Sequence, residues 1–467
     1  GGKNQVYSLD FSTKTVFSLK IWWFTHVDDR VSACRTTMEY DIITQEERRD
    51  FMTGEQELLL ALLRGELTGT AAELDEKTLR EADWGAVLKE SQAQAVTLMA
   101  ADALSPFGKY VTNIGAWTSC AARLMRANFA LLQSEVWLEN AIAPEPMVIL
   151  KGMSAASYYC KPSGRVLGDI DFLTDPAKTD ALLDCLTEKG CKIIDEPGDS
   201  SHHRELTHGS TLLELHFAIP GIPFGKAGEL VCARAEGMLS RRVVRELDGQ
   251  KFPSPAPTDH ALVLLLHTQN HMQEAGVGLR HLCDWAAFLR AEADGAFWPE
   301  FLDFLKEIGL LRFAEVLSKT CAMYLGAPLL DFAKDAPEEL ATGILEDILS
   351  GGNFGRRDET HSGSAVFLPS FRGEEKRQTR TQKLWQSLLG GVRSHHPIVK
   401  KVPVLIPFFA LWRAILYIVR AALGKRQRLG DMSRVGRDRE ALFRALRLFE
   451  QTGCDGIMVG RGAQGNP

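Results

Sequence analysis

Long uninterrupted apolar runs are missing from this 467-residue chain. The most apolar stretch, 402–419, is broken by Pro403, Pro407 and Arg413, and falls short of the roughly 20 apolar residues a membrane-spanning helix needs. A buried helix is the preferred expectation there, and membrane-surface contact through 402–423 is the less favoured one. No basic, apolar and small-residue succession marks a signal peptide, because Ile21–Phe24 is too short for its apolar segment. Cys-x-x-Cys pairs are also absent, and 9 cysteines without regular spacing argue against a disulfide framework and for reduced thiols in the cytoplasm. Positive charge is not in excess. A net charge of -6 disfavours wholesale polynucleotide binding, although a local basic cluster can still dock nucleic acid. With 45% hydrophobic, 24% charged and 8% aromatic residues, neither disorder nor a fibrous repeat is indicated, and the length implies more than one folded unit.

Residues 1–37 show no sustained periodicity, and 1–51 form a poorly defined N-terminal segment. From 52 to 140, leucines at helical spacing (Leu58, Leu59, Leu62, Leu63) predict a helical region. Pro144 and Pro146 end it, and 141–250 changes character. Met147–Leu150 has strand length and is followed by a turn at Gly152 and a small-residue helix start. Val166–Thr174 alternates, with Asp169 and Asp171 on one face and Ile170 and Phe172 on the other. A helix is expected near 178–189, then a hairpin of Arg204–Thr207 and Thr211–Phe217 turning at His208–Ser210. Pro253, Pro255 and Pro257 punctuate a linker, with Thr258 or Asp259 as a cap for a helix from Ala261. Residues 258–448 read as helical, apart from a polar, Gly-rich loop over 350–364. The fold class is therefore α+β, a small mixed sheet flanked by N-terminal and C-terminal helical regions.

Asp169 and Asp171 form the only Asp-x-Asp in the chain. Two aspartates at i and i+2 of a strand leave the same face, so both can converge on divalent cations, which prefer carboxylate oxygens. One such pair is expected by chance, so its surroundings must carry the argument. Glu214, on the strand expected beside the aspartate strand, supplies a third carboxylate. His216 shares the Glu214 face and can orient it, touch substrate or take a proton. Upstream, Lys151, Gly152 and Ser154 lie where a strand turns into a helix, so backbone amides and a hydroxyl can hold phosphates, with Lys151 and Arg165 adding positive charge.

The segments Val148–Ser154, Gly164–Leu173, Glu214–His216 and Gly278–Asp284 together resemble the uncharacterised nucleotidyltransferases of the polymerase-beta-like superfamily, which also look related to toxin-type nucleotidyltransferases. The resemblance covers about 52–448. It implies a nucleotidyltransferase that moves a nucleoside monophosphate from an NTP, ATP among the candidates, to an unidentified acceptor hydroxyl on a small molecule, protein or RNA. It implies two Mg2+ ions, or Mn2+ in their place, on Asp169, Asp171 and Glu214, and nucleotide contacts at Lys151, Gly152, Ser154 and Arg165. The superfamily's small pair after the strand appears here as Gly152-Met153-Ser154.

Other features have plainer expectations. His267 and His271, at i and i+4, have metal-ligand spacing without the neighbouring Glu of a zincin, so structural roles are expected. Arg280 and Asp284 are expected to pair on a helix surface. Lys425, Arg426, Arg428, Arg434 and Arg437 are expected to form a solvated charged face. The tail 449–467 resembles a fragment of a flavin-dependent tRNA-dihydrouridine synthase near its phosphate-binding turn, and both chain ends are expected to come from a fused or misassembled reading frame. Alternatives to catalysis are a silent nucleotide- or partner-binding module of the same fold, a membrane-surface adaptor, and a synthase fragment confined to the tail.

Overall fold

A computed structural model of the chain describes residues 51–195, 202–369, 385, 388–390, 392, 396, 398–423 and 426–450. Residues 1–37, Lys425 and the synthase-like segment 451–467 lie outside the described residues.

Helices α1 (Gly54–Thr68), α2 (Glu76–Glu81), α3 (Trp84–Ala93), α4 (Thr97–Ala103) and α5 (Ile114–Ile142) precede the first strand. The start of α1 is fixed by a reciprocal cap, in which Thr53 accepts from the Gln56 amide and the Gln56 side chain accepts from the Thr53 amide. Leu58, Leu59, Leu62 and Leu63 are buried, as their spacing predicts. The C-terminal half of α5 inserts Leu131, Leu132, Leu138 and Ile142 into the core that the sheet also lines.

The strands are β1 (Val148–Ile149), β2 (Ile170–Leu173), β3 (Lys192–Ile193), β4 (His203–His208) and β5 (Thr211–His216). They form one mixed sheet in the order β1-β2-β5-β4-β3. β2 and β5 run parallel, and every other neighbouring pair is antiparallel. A parallel pair needs a crossover, which here contains α7 (Thr179–Glu188), while α6 (Met153–Ala156) follows β1. The hairpin turns at Gly209, whose φ of 60° is costly for residues with a Cβ. Ile170, Phe172, Leu213 and Leu215 point into a core shared with Leu182, Leu183 and Leu186 of α7. The opposite face of β2 and β5 is thereby left for polar groups.

After α8 (Lys226–Glu236), a separate hairpin of β6 (Val243–Leu247) and β7 (Gln250–Ser254) precedes α9 (Pro257–Gln273). This corrects the linker expectation, since Pro253 lies inside β7. A two-stranded sheet tolerates it because both strands are edges. The helix starts at Pro257 with Ala256 as its N-cap. Asp259 does not cap it but is buried against Arg241, with both carboxylate oxygens 3.0 Å from that guanidinium. Then come α10 (Leu279–Ala291), α11 (Trp298–Glu307), α12 (Leu311–Leu325), α13 (Glu338–Gly351), α14 (Glu359–Ser364), α15 (Ile398–Lys401), α16 (Ile406–Ala422) and α17 (Leu429–Ala445). The expected 350–364 loop thus contains a short helix.

No described helix is long and apolar enough to cross a membrane. The buried-helix expectation for 402–419 also needs correction. Ala410 packs with Val392 and Val399, whereas Phe408, Leu411, Trp412, Ile415 and Val419 are exposed. Their spacing of three, four and seven residues is that of one helical face.

Candidate active site

The parallel register of β2 and β5 sets Asp171 directly opposite Glu214. In strands that bury alternate residues against α7, the intervening side chains emerge together on the other face. Asp169 precedes β2 on the same side, and all three carboxylates line a cavity of about 450 Å3. His216 completes the group. Its Nε2 lies 3.1 Å from Asp171 Oδ1 and 3.2 Å from Glu214 Oε2, and its Nδ1 lies 3.3 Å from the Ala218 carbonyl oxygen.

Lys151 enters from the end of β1 and places Nζ 2.7 Å from Asp171 Oδ1 and 3.0 Å from His267 Nε2. His267 Nε2 is in turn 2.8 Å from His271 Nε2. The two α9 histidines line the cavity.

The sequence pairs Arg280 with Asp284, and the structure gives Asp284 a different ion-pair partner. Asp284 is buried and takes a two-pronged contact from Arg165, with Nε and Nη2 each 2.7 Å from a carboxylate oxygen. Tyr159 donates to the same carboxylate at 2.6 Å. Arg165 lines the cavity, but its charge is already matched by Asp284. Arg280 lines the cavity too, and its buried Nε has no hydrogen-bond partner among the described residues. Of the two arginines, Arg280 is therefore the one with capacity for an anionic ligand.

The turn after β1 differs in one respect from expectation. Gly152 has φ 56° and ψ -106°, a backbone geometry that favours glycine, and it lines the cavity. The helix that follows has only four residues, Met153–Ala156, so its dipole is slight. Ser154 is fully buried and donates to the Ile149 carbonyl, which places its hydroxyl in the turn rather than on the cavity wall.

Crowded charge shapes the acid–base properties. Burial opposes ionisation of Asp171, but the Lys151 ammonium and the His216 hydrogen bond outweigh it and hold that carboxyl well below the usual range. The Asp171 charge, with burial, pushes Asp169 upward. Burial, then Asp171, pushes Glu214 up to about 7. Burial lowers the proton affinity of His216, yet its hydrogen bonds to the Asp171 and Glu214 carboxylates raise it overall. A ring whose two nitrogens both face acceptors is best satisfied as imidazolium. Burial, reinforced by Lys151, keeps His267 neutral.

Asp171, Glu214 and His216 each present a donor atom within 4.8 Å of the others. That spacing, with Asp169 adjacent, fits a divalent cation with oxygen-rich coordination. His202 and His203, not singled out by the sequence, also line this cavity.

The family described as uncharacterised nucleotidyltransferases matches residues 80–326. This span is narrower than the resemblance over 52–448 but contains every site residue from Lys151 to Asp284. No curated protein and no solved structure matches the chain.

Proposed function

The chain belongs to this nucleotidyltransferase family, and on that premise we propose that it transfers a nucleoside monophosphate from a nucleoside triphosphate to an acceptor hydroxyl. The observation that carries this reading is the β2–β5 register, which converges Asp171 and Glu214 on one cavity beside Asp169. These three carboxylates would hold two Mg2+ or Mn2+ ions, which when bound supply Lewis-acid polarisation of phosphoryl oxygen and activation of the hydroxyl.

The chain's own residues position and neutralise. Lys151 and Arg280 bring positive charge to the cavity wall, where a triphosphate would place its oxygens. The turn at Gly152 presents backbone without an intervening side chain. Arg165, locked by Asp284, fixes the loop before β2, so that Asp169 keeps its place relative to Asp171. In the reaction, a bond forms between the acceptor oxygen and the α-phosphorus as the bond to the β-phosphate oxygen breaks. Pyrophosphate leaves, and Glu214 takes the hydroxyl proton.

One observation favours a second reading, binding without transfer. The Lys151 ammonium already neutralises Asp171 at 2.7 Å, an arrangement that holds the carboxylate pair without an added cation. The two readings separate in one experiment. Each α-labelled nucleoside triphosphate is incubated with Mg2+, cell-extract fractions and either the native chain or its Asp169→Asn/Asp171→Asn variant. Transfer of label by the native chain, lost in the variant, supports catalysis. Nucleotide binding with no transferred label from any triphosphate supports the silent module and overturns the enzyme.

A further inference from the structure

Three imidazoles meet where β4 begins and β5 ends. The antiparallel register pairs His203 with His216. His202 lies just outside the ladder, where its carbonyl accepts from the Phe217 amide at 3.0 Å and the Ala218 amide at 3.2 Å. Those two bonds fix the residue next to the end of β5. The ring centroids are 4.5 Å apart for His202 and His203, 5.5 Å for His202 and His216, and 5.2 Å for His203 and His216. One ring nitrogen from each of the three lies within 4.8 Å of the others.

Three imidazole nitrogens this close together can converge on one metal ion. Imidazole nitrogen suits borderline ions such as Zn2+, whereas Mg2+ prefers hard oxygen donors. We propose that His202, His203 and His216 form a Zn2+ site, chemically distinct from the carboxylate group beside it. Three protein ligands leave a fourth position open. His202 and His203 both line the cavity, so that position faces the space where substrate would enter. Glu205 and Glu214 stand next to His203, one donor atom of each lying within 4.8 Å of it, and they supply the carboxylate neighbours that orient metal-bound imidazoles. His216 belongs to both groups, so Zn2+ replaces the ring proton that it shares with Asp171 and Glu214.

The test measures metal binding to the full chain without nucleotide, so it is independent of whether the protein transfers nucleotides. Zn2+ is titrated against a chromophoric chelator, with Co2+ as a visible-absorption probe of nitrogen coordination. The native chain is expected to hold one tightly bound Zn2+. His202→Asn/His203→Asn is expected to weaken it by about tenfold or more, and Asp169→Asn is expected to retain it. X-ray absorption on the Zn2+-loaded native chain counts imidazole ligands directly and needs no variant to fold. Two or three imidazoles support the site. An all-oxygen shell, an absence of Zn2+ binding, or unchanged binding in the histidine double variant overturns it.

Discussion

Lys151 holds Asp171 with its ammonium 2.7 Å from Oδ1, while the other side of that ammonium rests 3.0 Å from His267 Nε2. A strand-end lysine thereby links the carboxylate face of the sheet to α9. Asp171 is almost fully buried, so its charge depends on this partner and on His216. Removing one member of a buried ion pair leaves the other uncompensated, which typically costs about 3–5 kcal/mol. Lys151→Met is accordingly expected to lower the Tm of the metal-free protein. Added Mg2+ should raise the variant's Tm more than the native protein's, since the cation takes over the role of the ammonium. Differential scanning calorimetry with and without Mg2+ checks this, and equal shifts in both proteins would contradict it.

The raised proton affinity of Glu214 makes cation binding pH-dependent. Its pKa in the fold, about 7, lies above the ordinary value of 4.5. Its contribution to stability is therefore fully present below 4.5 and is lost as pH rises through 7. A divalent cation favours the ionised carboxylate and displaces the proton. Mg2+ or Mn2+ affinity is expected to rise between pH 5.5 and 8, with proton release centred near 7. Calorimetric titrations in two buffers of different ionisation enthalpy count the protons. Glu135, on α5, is also pushed up to about 7 by burial but lies outside the cavity. Glu135→Gln should leave the proton release in place and Glu214→Gln should abolish it.

Arg165 and Arg280, two of the arginines that line the cavity, predict opposite phenotypes. Arg165 is matched by Asp284 through two 2.7 Å contacts, so Asp284→Asn leaves a buried guanidinium poorly compensated and should lower stability by several kcal/mol. The Arg280 Nε has no hydrogen-bond partner among the described residues, so Arg280→Ala should cost less stability than Asp284→Asn. Hydrogen bonds to charged groups contribute roughly 1.5–3 kcal/mol, which predicts an approximately 10- to 100-fold weaker nucleotide affinity for Arg280→Ala. Thermal melts and nucleotide titrations on the two variants separate the roles. A destabilised Arg280→Ala with normal nucleotide affinity would reverse the assignment.

What was legible in the sequence follows from periodicity. The alternation of Ile170 and Phe172 with Asp169 and Asp171 marks a two-sided strand, and the same rule places Glu214 on the polar face of its neighbour. Counting outward from the turn at His208–Ser210 also pairs His203 with His216, a signal present in the hairpin but not used. Nothing local shows that Lys151 reaches His267, because that contact joins segments 116 residues apart. α9 is buried nearly all round, so the i, i+4 spacing of His267 and His271 does not reveal which face meets the cavity. The partner of Asp284 differs from the expected one for a related reason. Helical spacing made Arg280 the available neighbour, whereas the fold supplies Arg165 from 119 residues away.

The helix α16 allows the burial pattern itself to be tested. Phe408, Leu411 and Trp412 are exposed, so their replacement removes little packed surface. Ala410 instead packs with Val392 and Val399, with Phe409 against the same cluster. Phe408→Ser, Leu411→Ser and Trp412→Ser are each expected to change stability by no more than about 0.5 kcal/mol. Ala410→Asp places a charge in the packed cluster and should be far more costly. Denaturant unfolding of the four variants reads the difference directly. Large losses from the three serine variants would mean that this face is covered in solution.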